Sequence, residues 1–232
     1  LAYKLIINHV IKKAAKIIAP SYSTKKEIMD HFGTRQSKIV VTYEGIDRKI
    51  TNHKLQITNK FKIPNSKFQI NKYFLYVGNA YPHKNLERLI EAFSLFCHPE
   101  LVSGSRLNRD SDLRQNDTKL IFVGKEDYFY KKLKKKVQEM RLSEKVVFLG
   151  HVSDKELTFL YRNALALVLP SLMEGFGLPA LEAMANKCLV LASNISSLRE
   201  VCGKAALYFN PLNIYDLKAK LSLVASHTTE YG

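Results

Sequence analysis

Four short apolar runs, each closed by a glycine or proline and followed by residues at helical spacing, limit what this chain can fold into more than any other feature. They are Tyr-Phe-Leu-Tyr-Val at 73–77, Leu-Ile-Phe-Val at 120–123, Val-Val-Phe-Leu at 146–149 and Ala-Leu-Ala-Leu-Val-Leu at 164–169. A strand that is apolar at every position is covered on both faces, the condition of a parallel sheet between two helix layers. Two further strands are expected at 188–192 and 207–209. Helices are expected at 86–96, 128–141, 154–162, 178–185, 197–202 and 214–225, the third opening on a Ser153-Asp154-Lys155-Glu156 capping box. The fold class is therefore α/β: a Rossmann-like, doubly wound, mostly parallel sheet with ligand loops at the strand carboxyl ends.

The last of the four runs leads into Glu174-Gly175-Phe176-Gly177-Leu178-Pro179-Ala180-Leu181-Glu182. Glycines on both sides of Phe176 allow a tight turn and a close ligand approach, and Pro179 suits the first turn of a helix. That helix is apolar nearly all round apart from Glu182, so it should be buried, and the carboxylate needs a hydrogen-bond donor. Its amino end favours an anion. The same residues also satisfy Gly-x-Gly-x-x-Ala, a dinucleotide fingerprint that belongs at the first strand-to-helix turn with an acid about twenty positions later. Here the turn comes late and the next strand ends in Ala192-Ser193-Asn194, so the dinucleotide reading is set aside. A second loop runs from Gly78 through Asn79-Ala80-Tyr81-Pro82-His83 to Lys84-Asn85. A lysine at a helix start, shortly after a strand-end glycine, suits a diphosphate, although most such lysines are merely solvated.

The 232 residues are enough for one α/β domain with a sizeable core and a second, smaller piece. No apolar run is long enough to cross a membrane and no signal peptide is evident, so the chain reads as soluble and cytoplasmic. Cys97, Cys188 and Cys202 have no metal-ligand spacing and read as reduced and structural. The net charge is +15, and residues 1–72 carry fifteen Lys and Arg against four Asp and Glu. Such a flank favours an acidic surface, and peripheral contact with the inner face of the cell membrane is one expectation; a solvated lysine-rich face is the other. No nucleic-acid-binding signature accompanies the charge, so nucleic acid is not an expected partner. In this flank a helix is expected over 3–18, a second over 24–31 between a Ser23 cap and Gly33, and a strand over 38–43.

The nonapeptide from Glu174 to Glu182, with its flanks from Leu169 to Ala192, resembles the Glu-x7-Glu motif of the retaining, GT-B-fold glycosyltransferases of group 1, also called GT4. The loop from Gly78 to Asn85 is similar to that family's Gly-x5-Lys-Asn. Glu44-Gly45-Ile46-Asp47 is similar to the Asn-Gly-Val-Asp that closes its amino-terminal domain. The resemblance implies the end of an acceptor domain at 1–47, a linker at 48–72, a nucleotide-sugar-binding domain at 73–225 and a tail at 226–232. It implies two catalytic residues, Lys84 at the donor diphosphate and Glu174 at the sugar hydroxyls, with Glu182 on the ribose. Gly78, Asn79, Gly124, Lys125, Val152, Gly175, Phe176, Gly177 and Leu178 would line the rest of the donor site, Val152 beside the base.

The implied reaction moves a hexose, with mannose favoured, from a GDP- or UDP-sugar to an acceptor hydroxyl with retention. Neither a metal nor a cofactor is expected. The acceptor is unknown, a lipid-linked or polysaccharide hydroxyl being expected from cell-surface polysaccharide or glycolipid synthesis. The alternative, of another class, is a non-catalytic nucleotide-sugar-binding remnant, because most of an acceptor domain is missing and catalysis needs both halves closed around the donor. Three places depart from the family pattern. Asn79 stands where many relatives have Arg, Asn186-Lys187-Cys188-Leu189 replaces Gly-x-Pro-Val, and 98–117 reads as a disordered surface insertion without apolar periodicity.

Overall fold

The computed structural model of the chain describes residues 2–47, 72–98 and 117–227. The expected linker and insertion lie almost wholly outside the described residues, as does most of the expected tail. The amino-terminal segment contains α1 (Ala2–Lys13), β1 (Ile17–Ala19), α2 (Tyr22–Phe32) and β2 (Ile39–Val41). The remainder alternates: β3 (Tyr73–Val77), α3 (Leu86–Cys97), β4 (Lys119–Val123), α4 (Tyr128–Glu139), β5 (Val146–Gly150) and α5 (Asp154–Asn163). It continues with β6 (Ala166–Leu169), α6 (Leu178–Ala185), β7 (Val190–Ser193), α7 (Ser196–Cys202), β8 (Ala206–Phe209) and α8 (Ile214–His227).

Strands β3 to β8 form one sheet in the order β5-β4-β3-β6-β7-β8, and every pairing is parallel. The chain winds outward from β3 through β4 and β5, then crosses to the other side of β3 to lay down β6. Connections leaving β3 and β6 therefore diverge, and a crevice opens between their carboxyl ends, where open α/β sheets bind ligands.

The apolar runs are continuous because each strand supplies two cores. Phe74, Tyr76, Leu120, Phe122 and Val168 face one side, with Leu89 and Phe93 of α3 and Leu217 and Leu221 of α8. Tyr73, Leu75, Ile121, Leu167 and Leu169 face the other, with Leu160 of α5, Ala180 and Ala183 of α6 and Leu198 of α7. The three cysteines are free and buried, and burial pushes their thiols up, to about 12 for Cys97 and Cys188 and about 11 for Cys202. Among the described residues no helix is long and apolar enough to cross a membrane.

Several expected boundaries are corrected. The helix expected over 3–18 stops at Lys13, and Ile17 to Ala19 pair in parallel with Ile39 to Val41. The Lys38 ammonium donates to the carbonyls of Ile11 and Lys12 at 2.7 and 2.9 Å, closing the carboxyl end of α1. Lys16 and Lys25 likewise bond the carbonyls of Ser37 and Ile39, so part of the basic flank satisfies backbone acceptors of the segment itself. Helix α2 is capped by Ser21, not Ser23, the Ser21 hydroxyl accepting from the Thr24 N–H at 3.0 Å. Helix α4 ends at Glu139, because Arg141 turns into the left-handed region at φ 56°. Helix α6 is only half-buried: Ala180 and Ala183 are sealed between α5, α7 and the sheet, while its other apolar side chains remain partly accessible.

Candidate functional site

Lys84 and Glu174, ninety residues apart in sequence, meet at the crevice between β3 and β6. A 3-10 turn over Pro82–Lys84 carries the lysine, and Asn85 follows it in the left-handed conformation at φ 59°. Lys84 Nζ donates to Glu174 Oε1 at 2.7 Å and Oε2 at 2.8 Å, and the two side chains are only 16% and 11% exposed. Ser171, fully buried, donates its hydroxyl to Glu174 Oε1 at 2.7 Å. The loops that carry the pair are tied to each other. Asn85 Nδ2 donates to the carbonyls of Pro170 at 3.0 Å and Pro211 at 2.9 Å, and the Leu172 N–H donates to the His83 carbonyl at 2.8 Å. Ser171 and the bracing function of Asn85 were missed in the sequence. Their only signals were a serine directly after the strand-end proline and an asparagine after the lysine.

The strand-exit glycines of β3, β4 and β5 are tied to one another's strands. The Gly78 N–H donates to the Val123 carbonyl, and the Gly124 N–H to the Gly150 carbonyl, each at 3.0 Å. The hydroxyl of Tyr130 donates to the Gly78 carbonyl at 2.7 Å and lies 3.2 Å from that of Val123, locking the exits of β3 and β4. Asn79 is exposed and its carbonyl accepts from Tyr76 Oη at 2.6 Å. Lys125 is exposed, and Val152 is half-buried against the core on the α5 side. Across the crevice, Gly175, Phe176, Gly177 and Leu178 form the turn into α6. Gly177, at φ 98°, holds a backbone conformation that favours glycine, and the end of the Leu198 side chain, 2.7 Å from where a Cβ would stand, would have to shift to admit one.

Glu182 sits apart from Lys84 in its bonding, one turn into α6, where Tyr161 Oη donates to its Oε2 at 2.8 Å. The need for a donor was legible; the identity of Tyr161 was not. Burial raises the Glu182 carboxyl above its ordinary value, the Tyr161 bond opposes this, and the negative charge of Asp154 at the start of α5 adds to it. A raised carboxyl binds its proton more tightly folded than unfolded. Stability therefore falls as pH rises from the unfolded value through the folded one. Glu182→Gln keeps an acceptor for Tyr161 without the charge. The variant should melt about 2 °C higher than the parent at pH 7, the advantage disappearing toward pH 4 in paired thermal melts. An equal or lower melting point at pH 7 would show that the charge is not penalised.

Among the described residues, no three His, Cys, Asp or Glu side chains gather where they could hold a metal ion. The family model for glycosyl transferases group 1 matches residues 58–229. The chain belongs to that family. This glycosyltransferase chain is 31% identical over 210 residues to the O-antigen chain mannosyltransferase RfbU of Salmonella typhimurium, covering 90% of the chain and 50% of that relative. It is 29% identical over 228 residues to O-antigen chain mannosyltransferase B of Escherichia coli, covering 91% of the chain and 54% of the relative. The chain thus spans about half the length of these two relatives. Its fold is that of the GT-B glycosyltransferases. It superposes with a TM-score of 0.71 on sucrose-phosphate synthase from Thermosynechococcus elongatus, at 20% identity over 96% of this chain and 52% of that one. The TM-score is also 0.71 with Anabaena HepE in complex with UDP and glucose, at 19% identity over 97% and 57% of the two chains.

Proposed function

We propose that the chain forms the nucleotide-sugar-binding half of a retaining glycosyltransferase that moves a hexose, with mannose favoured, from a GDP- or UDP-sugar to an acceptor hydroxyl. The Lys84–Glu174 pair at the switch point carries this reading. It sets one cation and one carboxylate side by side where a doubly wound sheet receives its ligand. An arriving diphosphate takes Lys84 as its counter-charge, helped by the amino end of α6, and the positive charge needed at the leaving group comes from the protein without a metal. Glu174, released from Lys84 but still oriented by Ser171, then has an oxygen to accept from the sugar hydroxyls. Glu182 and its Tyr161 partner are suited to the ribose diol on the same side of the sheet.

Two likenesses support the donor and the sugar. HepE was solved with UDP-glucose bound, and the relatives in Salmonella and Escherichia are O-antigen mannosyltransferases. They also favour a cell-surface polysaccharide or its lipid-linked precursor as acceptor. A thermal-shift titration of the chain against GDP, UDP and their hexose conjugates tests the donor site. A ligand that binds only the folded form raises the melting temperature, by about 2.7 kcal/mol of stabilisation at one hundred times its dissociation constant. The expected result is a shift with one nucleotide series, largest for the sugar conjugate and abolished in Glu182→Ala. A folded chain that shifts with none of them would overturn the reading.

A further inference from the structure

The turn between Glu174 and Leu178 is held from outside the sheet domain by the amino-terminal segment. The Gly175 carbonyl accepts from Ser21 Oγ at 2.7 Å and from Thr24 Oγ1 at 3.0 Å, and Ser21 is fully buried. Phe176 is 7% exposed, and the ring of Tyr43 lies against it with centroids 5.7 Å apart. Ser21 and Thr24 belong to the first turn of α2, whose own amino end is fixed by one side chain of α7. Glu200 Oε1 accepts from the Tyr22 N–H at 2.7 Å and the Tyr43 hydroxyl at 3.0 Å, and Glu200 Oε2 accepts from the Ser23 N–H at 2.8 Å. A carboxylate with both oxygens on the first N–H groups of a helix is the favourable arrangement for a helix amino end. It also brings the β2 exit, through Tyr43, to the same point.

We infer that Glu200 is a positioning residue. Its carboxylate seats α2 and Tyr43 so that two hydroxyls grip the Gly175 carbonyl, and the conformation of the turn beside Glu174 thereby depends on the seat of the amino-terminal segment. The consequence rests on the donor-site reading above: binding a nucleotide sugar at the turn and seating the segment favour each other, with equal coupling in both directions. The clamp reaches the turn through the Gly175 carbonyl and the Phe176 ring, so its effect on binding is transmitted through them.

Glu200→Gln separates the clamp from the donor site. The glutamine amide is the same size, but its nitrogen cannot accept from an N–H, so one of the two amide bonds to α2 is lost. Hydrogen exchange of the unliganded chain should be about tenfold faster than in the parent at Tyr22 and Ser23 and across 174–178, while exchange in β3 and β4 stays unchanged and reports an intact core. Ser21→Ala should loosen 174–178 alike, and combining the two variants should add little, since both act on one contact. With the donor, Glu200→Gln should weaken nucleotide-sugar binding about tenfold. Parent-like exchange at 174–178 in Glu200→Gln, or full additivity with Ser21→Ala, overturns the clamp whether or not a nucleotide sugar binds. A parent chain that binds no nucleotide sugar, yet shows the exchange changes, overturns the donor-site reading and leaves the clamp established.

Discussion

On the proposed function, methionine in place of Lys84 is expected to lower glycosyl-transfer turnover by roughly 100-fold and to lower the melting temperature of this chain as well. The two losses have separate causes. Methionine keeps the length of the stem and removes the ammonium that would meet the leaving diphosphate, and a preorganised charge at such a position is typically worth about 3 kcal/mol in the transition state. The stability loss comes from Glu174. Its side chain is 11% exposed, and without Lys84 the hydroxyl of Ser171 is the remaining bond to its carboxylate among the described residues. Breaking one side of a largely buried pair costs on the order of 3 kcal/mol, which corresponds to about 6–10 °C for a chain of this size. The double variant Lys84→Met with Glu174→Gln distinguishes the causes. Neutralising both partners should restore most of the melting temperature, and turnover should remain at the low level of the single variant. Wild-type turnover in Lys84→Met would remove the lysine from the reaction; an unchanged melting temperature would mean that the pair carries no stability.

What could be read from the sequence was the part governed by local pattern. Strands buried on both faces are continuous apolar runs, so β3, β4, β5 and β6 were legible within a residue or two, and the helix over 178–185 matched its observed bounds. The misreadings share a cause. Ile17 and Ile18 fit a helical period with the residues before them, but pairing with Ile39 and Val40, more than twenty positions on, extends them into β1. Ser21, Ser23 and Thr24 are all competent caps, and the choice of Ser21 is made by the Gly175 carbonyl, one hundred and fifty-four positions away. Apolar composition suggested a sealed α6, yet composition does not say how many neighbours a helix will have.

The candidate site divides in the same way. Lys84, Glu174 and Glu182 could be singled out because the motifs that hold them resemble those of a known family; their places at a strand exit or helix start alone suited ordinary solvated or paired groups equally well. Their partners could not. Tyr161 and Ser171 look like ordinary core residues in the sequence, and the contact between Lys84 and Glu174 exists only because β6 returns to the far side of β3. The order of strands, which no local pattern encodes, is what converts two separate loops into one crevice.

Alanine at Gly124 is expected to destabilise the chain by about 3 kcal/mol or more, although the residue's backbone torsions are open to any amino acid. The reason is space. A Cβ there would stand 2.0 Å from the Gly78 carbonyl oxygen and 2.4 Å from the Tyr130 hydroxyl. The first is backbone of the neighbouring strand exit, and the second belongs to the side chain that bonds that same carbonyl, so neither can withdraw without opening the junction of β3 and β4. Gly150, at the next strand exit, supplies the contrast. It has φ 71° and nothing within 4 Å of a Cβ, so Gly150→Ala should cost only the left-handed backbone penalty, about 1 kcal/mol. Urea denaturation of the two variants should therefore separate them clearly, with Gly124→Ala the lower. Adding Tyr130→Phe removes the hydroxyl contact but leaves the carbonyl at 2.0 Å, so rescue should be partial at best. Full rescue would locate the constraint in the tyrosine, and equal losses at the two glycines would mean that the close approach of the strand exits is not what requires glycine at 124.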